Sequence, residues 1–169
     1  AGVWVYDFAT PIPADAEGSF TIGVEGRKPV VLDDGSEEGI ETEDQLQNFV
    51  KAFAVTDEAP AARRMVVEDA LCENCHVNLS LHGDNRKNAT DYCQTCHMPA
   101  ATDEEVRLEG KDESIHFKYM VHKIHRGAEL ENLPYIVYGY RSSVHDYSDV
   151  HYPGDLRDCE ACYVNDSYN

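Results

Sequence analysis

The feature that most constrains this chain is one short spacing used three times. Its six cysteines fall as Cys72/Cys75, Cys93/Cys96 and Cys159/Cys162, each pair C-x-x-C. Disulfide frameworks vary their spacings, and a bridge across two residues is strained. Three copies of one short spacing point instead to attachment of a metal or a metal cofactor. Two pairs run directly into histidine, as Leu71-Cys72-Glu73-Asn74-Cys75-His76 and Tyr92-Cys93-Gln94-Thr95-Cys96-His97. C-x-x-C-H is the attachment signature of c-type haem. The two thiols reach the two vinyl groups of one porphyrin, and the adjoining imidazole lies beneath the ring, aimed at the iron. Zinc is the rival, because Cys72 to Cys96 reads C-x2-C-x17-C-x2-C, within the range of zinc sites. Four zinc ligands would leave His76, His97 and the third pair without a role. Haem c is therefore the expected cofactor, three in all.

The third pair departs from the rule. Cys159-Glu160-Ala161-Cys162 is followed by Tyr163 where the other two have histidine. Haem can be tethered there with Tyr163 as an oxygen ligand, since tyrosine serves iron in some haem proteins. It can be tethered with an imidazole from elsewhere, such as His151 or His145. Or the pair is a vestige without haem. Attachment is the expectation, because covalent capture depends chiefly on the thiols.

A low-spin electron-transfer haem needs a second axial ligand, and His or Met serves. The chain has 8 His, and beyond His76 and His97 there remain His82, His116, His122, His125, His145 and His151. His82, His122 and His125 lead as distal candidates, His145 follows, and His116 and His151 trail. Met98 and Met120 read as packing residues. His122 and His125 are three apart on a predicted helix and point in neighbouring directions. They cannot grip one iron from opposite sides. They can serve two haems flanking the helix.

Composition sets outer bounds. In 169 residues, 14 Lys+Arg against 32 Asp+Glu give a formal charge of −18, which repels a phosphate backbone and argues against a nucleic-acid partner. Mean hydropathy is −0.51, and no apolar run approaches the ~20 residues of a transmembrane helix. The opening Ala1-Gly2-Val3-Trp4 lacks the basic and apolar regions of a signal peptide, so the expectation is a cleaved leader or excision from a longer protein.

Residues 1–60 read as a β-rich segment. Val3, Val5 and Phe8 mark one apolar stretch, Phe20–Val24 alternates with period two, and Pro29–Leu32 runs into the turn Asp33-Asp34-Gly35. Ser36 to Asp44 reads as a solvated acidic loop, and Gln45 to Val55 is ambiguous between helix and strand. Two or three short strands bury no core alone, so they are expected to pack on something C-terminal or on a partner domain. Residues 61–169 read as the cofactor domain. Val66–Leu71 opens a helical turn before the first pair. Phe117, Met120, Val121 and Ile124 fall at helical spacing, with capping chemistry at Asp112-Glu113-Ser114 and a stop at Gly127. Tyr135–Tyr140 reads as β. The long irregular stretches fit a compact domain only if a cofactor fills the space they enclose. The expected fold class is a mostly irregular and helical multihaem cytochrome domain organised around covalently bound haems, with a short N-terminal β segment.

As a series, these pieces resemble a known family. Cys-x-x-Cys-His with His82-Gly83 downstream comes first, followed by Cys-x-x-Cys-His-Met-Pro. Then come Phe117-Lys118-Tyr119-Met120-Val121-His122-Lys123-Ile124-His125-Arg126-Gly127, Val137-Tyr138-Gly139-Tyr140 and Ser143-Val144-His145-Asp146-Tyr147. Tyr152-Pro153 precedes the last pair. This order is similar to that of the OmcA/MtrC-type outer-membrane multihaem c-type cytochromes of metal-respiring bacteria, over about residues 65 to 165. The stretch from Gly18 to Gly26 resembles the β segment that precedes the haem region there. The resemblance implies His76 and His97 as proximal ligands and His82, His122 and His125 as distal ones, with Tyr163 where a third proximal histidine would stand. It implies electron transfer through close-packed bis-histidine haems at the cell surface or outside the cell, with the periplasm as the other compartment that permits attachment. Metal oxides, flavins, other multihaem cytochromes or copies of the chain itself would be partners. Members carry more haems over several domains, so this chain would match one portion or a short relative. The competing class is a multihaem reductase with a substrate-accessible iron at Cys159/Cys162/Tyr163, and a zinc-bound interaction module is the lesser alternative.

Overall fold

A computed structural model describes residues 3–169; Ala1 and Gly2, part of the opening read above for a signal peptide, lie outside the described residues. Four strands build the N-terminal portion: β1 (Ser19–Val24), β2 (Arg27–Leu32), β3 (Ile40–Gln45) and β4 (Phe49–Ala54). β2 pairs antiparallel with β3, and β1 with β4, so the chain runs up one side of a ribbon and down the other. Val24 faces Phe49 while Arg27 faces Gln45, which leaves one extra residue on the returning side. That is a bulge, and the Leu46 N–H donates to the Gly26 carbonyl at 3.0 Å to carry the ladder across it.

Two stretches depart from expectation. The acidic Ser36–Asp44 run is a strand from Ile40 onward. β2 offers it a hydrogen-bonding partner and opposite charges, with Lys28 facing Asp44 and Arg27 paired to Glu43 at 2.7 Å; cross-strand context overrides the poor β-propensity of Asp and Glu. Val3, Val5 and Phe8 lie in no strand and are exposed, and Pro11 and Pro13 behind them donate no ladder hydrogen bond. The ambiguous stretch resolves as strand β4.

The ribbon does pack on C-terminal residues. The ring of Tyr92 lies against Gly23, where a Cβ would stand 2.6 Å from a ring carbon. Only glycine permits that approach. Tyr92 Oη donates to Glu25 at 3.0 Å, and Arg86 pairs with the same carboxylate at 3.0 Å. Arg86 belongs to a short antiparallel pair, β5 (Ser80–Leu81) and β6 (Arg86–Lys87). The buried Asn48 side chain donates to the Asn85 carbonyl and accepts from the Lys87 N–H, tying the end of the ribbon to that pair.

The remainder is mostly irregular. Its helices are α1 (Asp69–His76), α2 (Thr90–Cys93) and α3 (Phe117–Arg126), with a last antiparallel pair, β7 (Ile136–Tyr138) and β8 (Val144–Asp146). α3 begins later than its capping chemistry suggests. His116 occupies the cap position without a side-chain cap bond, and Ser114 Oγ accepts the His116 N–H. Glu113 is occupied elsewhere, paired with Lys123.

The helix stops at Gly127 as expected, with φ of +43°. A Cβ there would meet the Val150 carbonyl oxygen at 2.1 Å, and that same carbonyl accepts the Ala128 N–H. Gly127→Ala is therefore expected to cost about 2 kcal/mol or more, read as a lowered melting temperature of the haem-loaded protein.

Hydrophobic burial by side chains is thin. Among the described residues the buried apolar set is Ala89, Tyr92, Tyr135, Val137 and Tyr138, a small core for 169 residues. The best-built polar element lies beside it. Asp103, 2% exposed, accepts from the Glu113 and Tyr138 N–H groups at 2.8 and 2.9 Å and pairs with Arg107 at 2.8 Å.

Candidate functional site

The C-x-x-C segments are positioned by local helical geometry. In α1, Cys72 and Cys75 are three apart and His76 is four from Cys72, so all three side chains leave on one face. The second segment leaves α2 through a turn in which the His97 N–H donates to the Cys93 carbonyl at 3.0 Å. The third, a 3-10 turn over Cys159–Ala161, makes the equivalent bond from Tyr163 N–H to the Cys159 carbonyl, also 3.0 Å. Tyr163 thus occupies the backbone slot that His97 fills in the second segment. In each pair the first cysteine is half-buried and the second exposed, and all six are free. Burial, and then the Asp69 carboxylate, push the Cys93 thiol up to about 11.

Each segment's terminal ring meets a histidine ring from elsewhere in the chain. His76 faces His125 with ring centres 5.9 Å apart, and His97 faces His82 at 6.0 Å. Tyr163 faces His122 at 6.1 Å. An imidazole nitrogen binds a first-row metal at about 2.0 Å with the ring centre about 1.1 Å behind it, so two imidazoles gripping one iron have centres about 6.2 Å apart. Both histidine pairs match that separation, and no ring-to-ring hydrogen bond joins either of them among the described residues.

Three histidines are oriented by backbone carbonyls. Nδ1 of His97 donates to the Ile115 carbonyl at 2.7 Å, His122 to Lys118 at 2.6 Å and His125 to Val121 at 2.8 Å. A carbonyl only accepts, so the proton sits on Nδ1 and Nε2 keeps its lone pair, as an imidazole ligand requires. Burial, followed by the Arg86 charge, lowers the pKa of His82, which favours the neutral form that metals bind. The carbonyl partners were not legible as functional residues. Only the i−4 relation within α3 signals the last two.

Other candidates stand apart. His145, on β8, meets Ser143 Oγ at 3.0 Å and stacks on Tyr147 at 6.5 Å, facing no Cys-segment ring. His116 lies edge-on to Tyr119. Met98, expected as a packing residue, is 47% exposed because it follows His97 out of the turn.

The three segments are neighbours, with the first in the middle. Asp69 Oδ1, in the first turn of α1, accepts the Thr90 N–H that opens α2, at 2.7 Å. Val67, just before α1, bridges Tyr163, and Val164 N–H donates to the Val66 carbonyl at 3.1 Å. α3 presents His125 to the first segment and His122 to the third.

Residues 64–169, more than half of the chain, match the family described as outer membrane cytochrome MtrC/MtrF-like, domains II/IV. The chain belongs to that family. No curated protein and no solved structure matches it. Domains of MtrC/MtrF-like cytochromes bind c-type haem, and the family supports electron transfer by a multihaem cytochrome at the outer membrane. The two histidine pairs fit that group: in each, one ring (His97, His125) has its Nδ1 on a backbone carbonyl, which leaves Nε2 for a metal, and a C-x-x-C pair adjoins each. Among the described residues no three His, Cys, Asp or Glu side chains converge. No helix of the described residues is long and apolar enough to cross a membrane.

Proposed function

We propose that this chain is an electron relay of three tethered c-type haems, in a row ordered Cys93/Cys96, Cys72/Cys75, Cys159/Cys162. The observation that carries the reading is the matched spacing of the two histidine pairs, each joining a C-x-x-C-H histidine to a histidine outside any Cys segment. His76 and His125 would hold the middle iron, and His97 and His82 the first. The bound haem supplies a reversible one-electron ferric/ferrous couple.

The protein's own contributions are distance, orientation and shielding. α3 fixes two neighbouring haems against one rigid element, so their separation does not drift. The Ile115 and Val121 carbonyls fix the imidazole tautomer on His97 and His125 and raise ligand basicity, which favours the ferric state. Two strong ligands on an iron leave no position for substrate, so the first two sites carry electrons and do no bond chemistry. Residues 1–60 serve as a β-rich flank and 61–169 as the haem domain.

The family supports an extracytoplasmic, cell-surface setting. There the electrons would leave to metal oxides, flavins or a partner cytochrome, including another copy of this chain. The charge of −18 favours acceptors that are neutral or positive at their contact face.

Intact-mass and peptide analysis of the protein matured with haem tests this reading. Three haem increments are expected, one on each peptide holding Cys72/Cys75, Cys93/Cys96 and Cys159/Cys162, with a sharp reduced low-spin spectrum. A colourless chain with six unmodified thiols would overturn it.

A further inference from the structure

We infer that residues 3–8 are a donor strand, which pairs with the open edge of β4 in a second copy of this chain. This goes beyond the relay reading, in which another copy is one of the acceptors, and supplies the contact that would hold that copy.

The arm is built as a strand without a sheet. Trp4, Tyr6 and Phe8 alternate with Val3, Val5 and Asp7, the period that sets three aromatic rings on one face. Trp4 is 94% and Tyr6 77% exposed, so the arm lies uncovered on its own copy.

The β1–β4 pair offers the matching surface. Register partners share one side of a sheet, so Phe20 stands with Phe53, Ile22 with Lys51 and Val24 with Phe49. The Phe20 and Phe53 rings stack at 6.1 Å, and Phe49 is 57% exposed. The other side, that of Gly23, is the one Tyr92 covers. β4 pairs with β1 alone. The Val55 N–H donates to the Gly18 carbonyl at the end of that ladder. Antiparallel alternation then turns the N–H and C=O groups of Val50, Ala52 and Ala54 outward. No other backbone group takes them among the described residues, which leaves a template for a third strand.

Spacing, charge and area select the occupant. Phe49, Lys51 and Phe53 step by two, as Trp4, Tyr6 and Phe8 do. A strand on this edge can set ring beside ring and Tyr6 beside the Lys51 ammonium. Residues 3–17 hold Asp7, Asp15 and Glu17 and no basic residue, whereas Lys51 is the one charge on β1 and β4. It joins no ion pair among the described residues. Arm and edge therefore attract, in a chain whose charge of −18 otherwise makes copies repel. Aromatic side chains bury about 150–250 Å² each, so three of them and the face they cover remove roughly 900–1,500 Å², near what a specific interface needs. Because arm and edge are different surfaces, every copy both gives and receives a strand.

Sedimentation velocity of the haem-loaded full chain over a concentration series tests the inference. The parent is expected to self-associate as concentration rises. Trp4→Ser with Tyr6→Ser strips the arm of two rings, and Lys51→Glu reverses the charge of the edge. All three positions are exposed, and each variant is expected to weaken association at least about tenfold, the loss of an interface anchor. A mixture of the two variants combines one intact arm with one intact edge, and a 1:1 pair that grows no further is expected. A parent that stays monomeric at every concentration would overturn the inference, and this includes an arm folded back on its own β4. Association that either variant leaves unchanged would also overturn it, as would a mixture that forms no pairs. Haem content by mass on the same samples decides the relay reading separately.

Discussion

His125→Ala is expected to stop electron flow through the row while leaving its haems attached. Tethering depends on the thiols, so the mass of the variant should still show the haem on Cys72/Cys75. The middle iron keeps His76 but loses the ring 5.9 Å opposite, and one low-spin signal should be replaced by a high-spin one. The kinetic effect follows from position. The first segment is bonded to the second through Asp69 and Thr90 and to the third through Val66, Val67 and Tyr163. In the proposed row an electron crossing the chain would pass through the middle station, so a defect there could not be bypassed. Losing even an outer-shell partner of a metal ligand costs about 10–100-fold, and losing the ligand itself should cost at least that in stopped-flow oxidation by a soluble ferric chelate. His125→Met provides the control. A His/Met iron stays low-spin at a higher potential, so this variant should keep a low-spin spectrum and recover part of the rate. Unchanged spin state in His125→Ala would remove His125 from the ligand set.

Much of the candidate site was legible in the sequence, because C-x-x-C-H, the attachment signature of c-type haem, is written in contiguous residues. Cys72 to His76 and Cys93 to His97 declare themselves by spacing. The division of His122 and His125 between two flanking partners follows from three-residue spacing on a helix, and α3 delivers one toward Tyr163 and the other toward His76. What spacing could not supply was the matching of partners. His82 meeting His97, not the nearer His76, depends on how β5 and β6 fold back beneath the ribbon. The Ser36–Asp44 run was misread because its charges are answered only across the strand, by Arg27 and Lys28. The role of Asp103 was invisible for the same reason. Its partners lie 4, 10 and 35 positions away, and a lone aspartate in an acidic chain gives no sign of burial.

That aspartate sets the second large effect. Asp103→Asn is expected to destabilise the haem-loaded protein by about 3 kcal/mol, the cost of breaking a buried ion pair from one side, which lowers the melting temperature by about 6–12 °C for a chain of this size. The carboxylate has 0% side-chain exposure and Arg107 10%, so water cannot replace the lost charge. Arg107 would be left with its guanidinium over the Tyr138 ring at 4.6 Å and no anion. The Tyr138 and Glu113 N–H groups would compete for one amide oxygen. β7 would loosen from the Asp103–Glu113 turn, and with it the Glu113–Lys123 link to α3, which is the path by which a distant carboxylate supports His122 and His125. Burial pushes the Asp103 carboxyl up, but the Arg107 guanidinium and the two N–H donors outweigh it and hold it below the ordinary value. A depressed carboxylate contributes stability that is fully present above about pH 4, the unfolded value, and is lost as pH falls through the lower folded value. The melting-temperature gap between parent and Asp103→Asn should therefore be constant from about pH 5 to pH 8 and close only in stronger acid. A gap that closes near neutral pH would assign the effect to a different group.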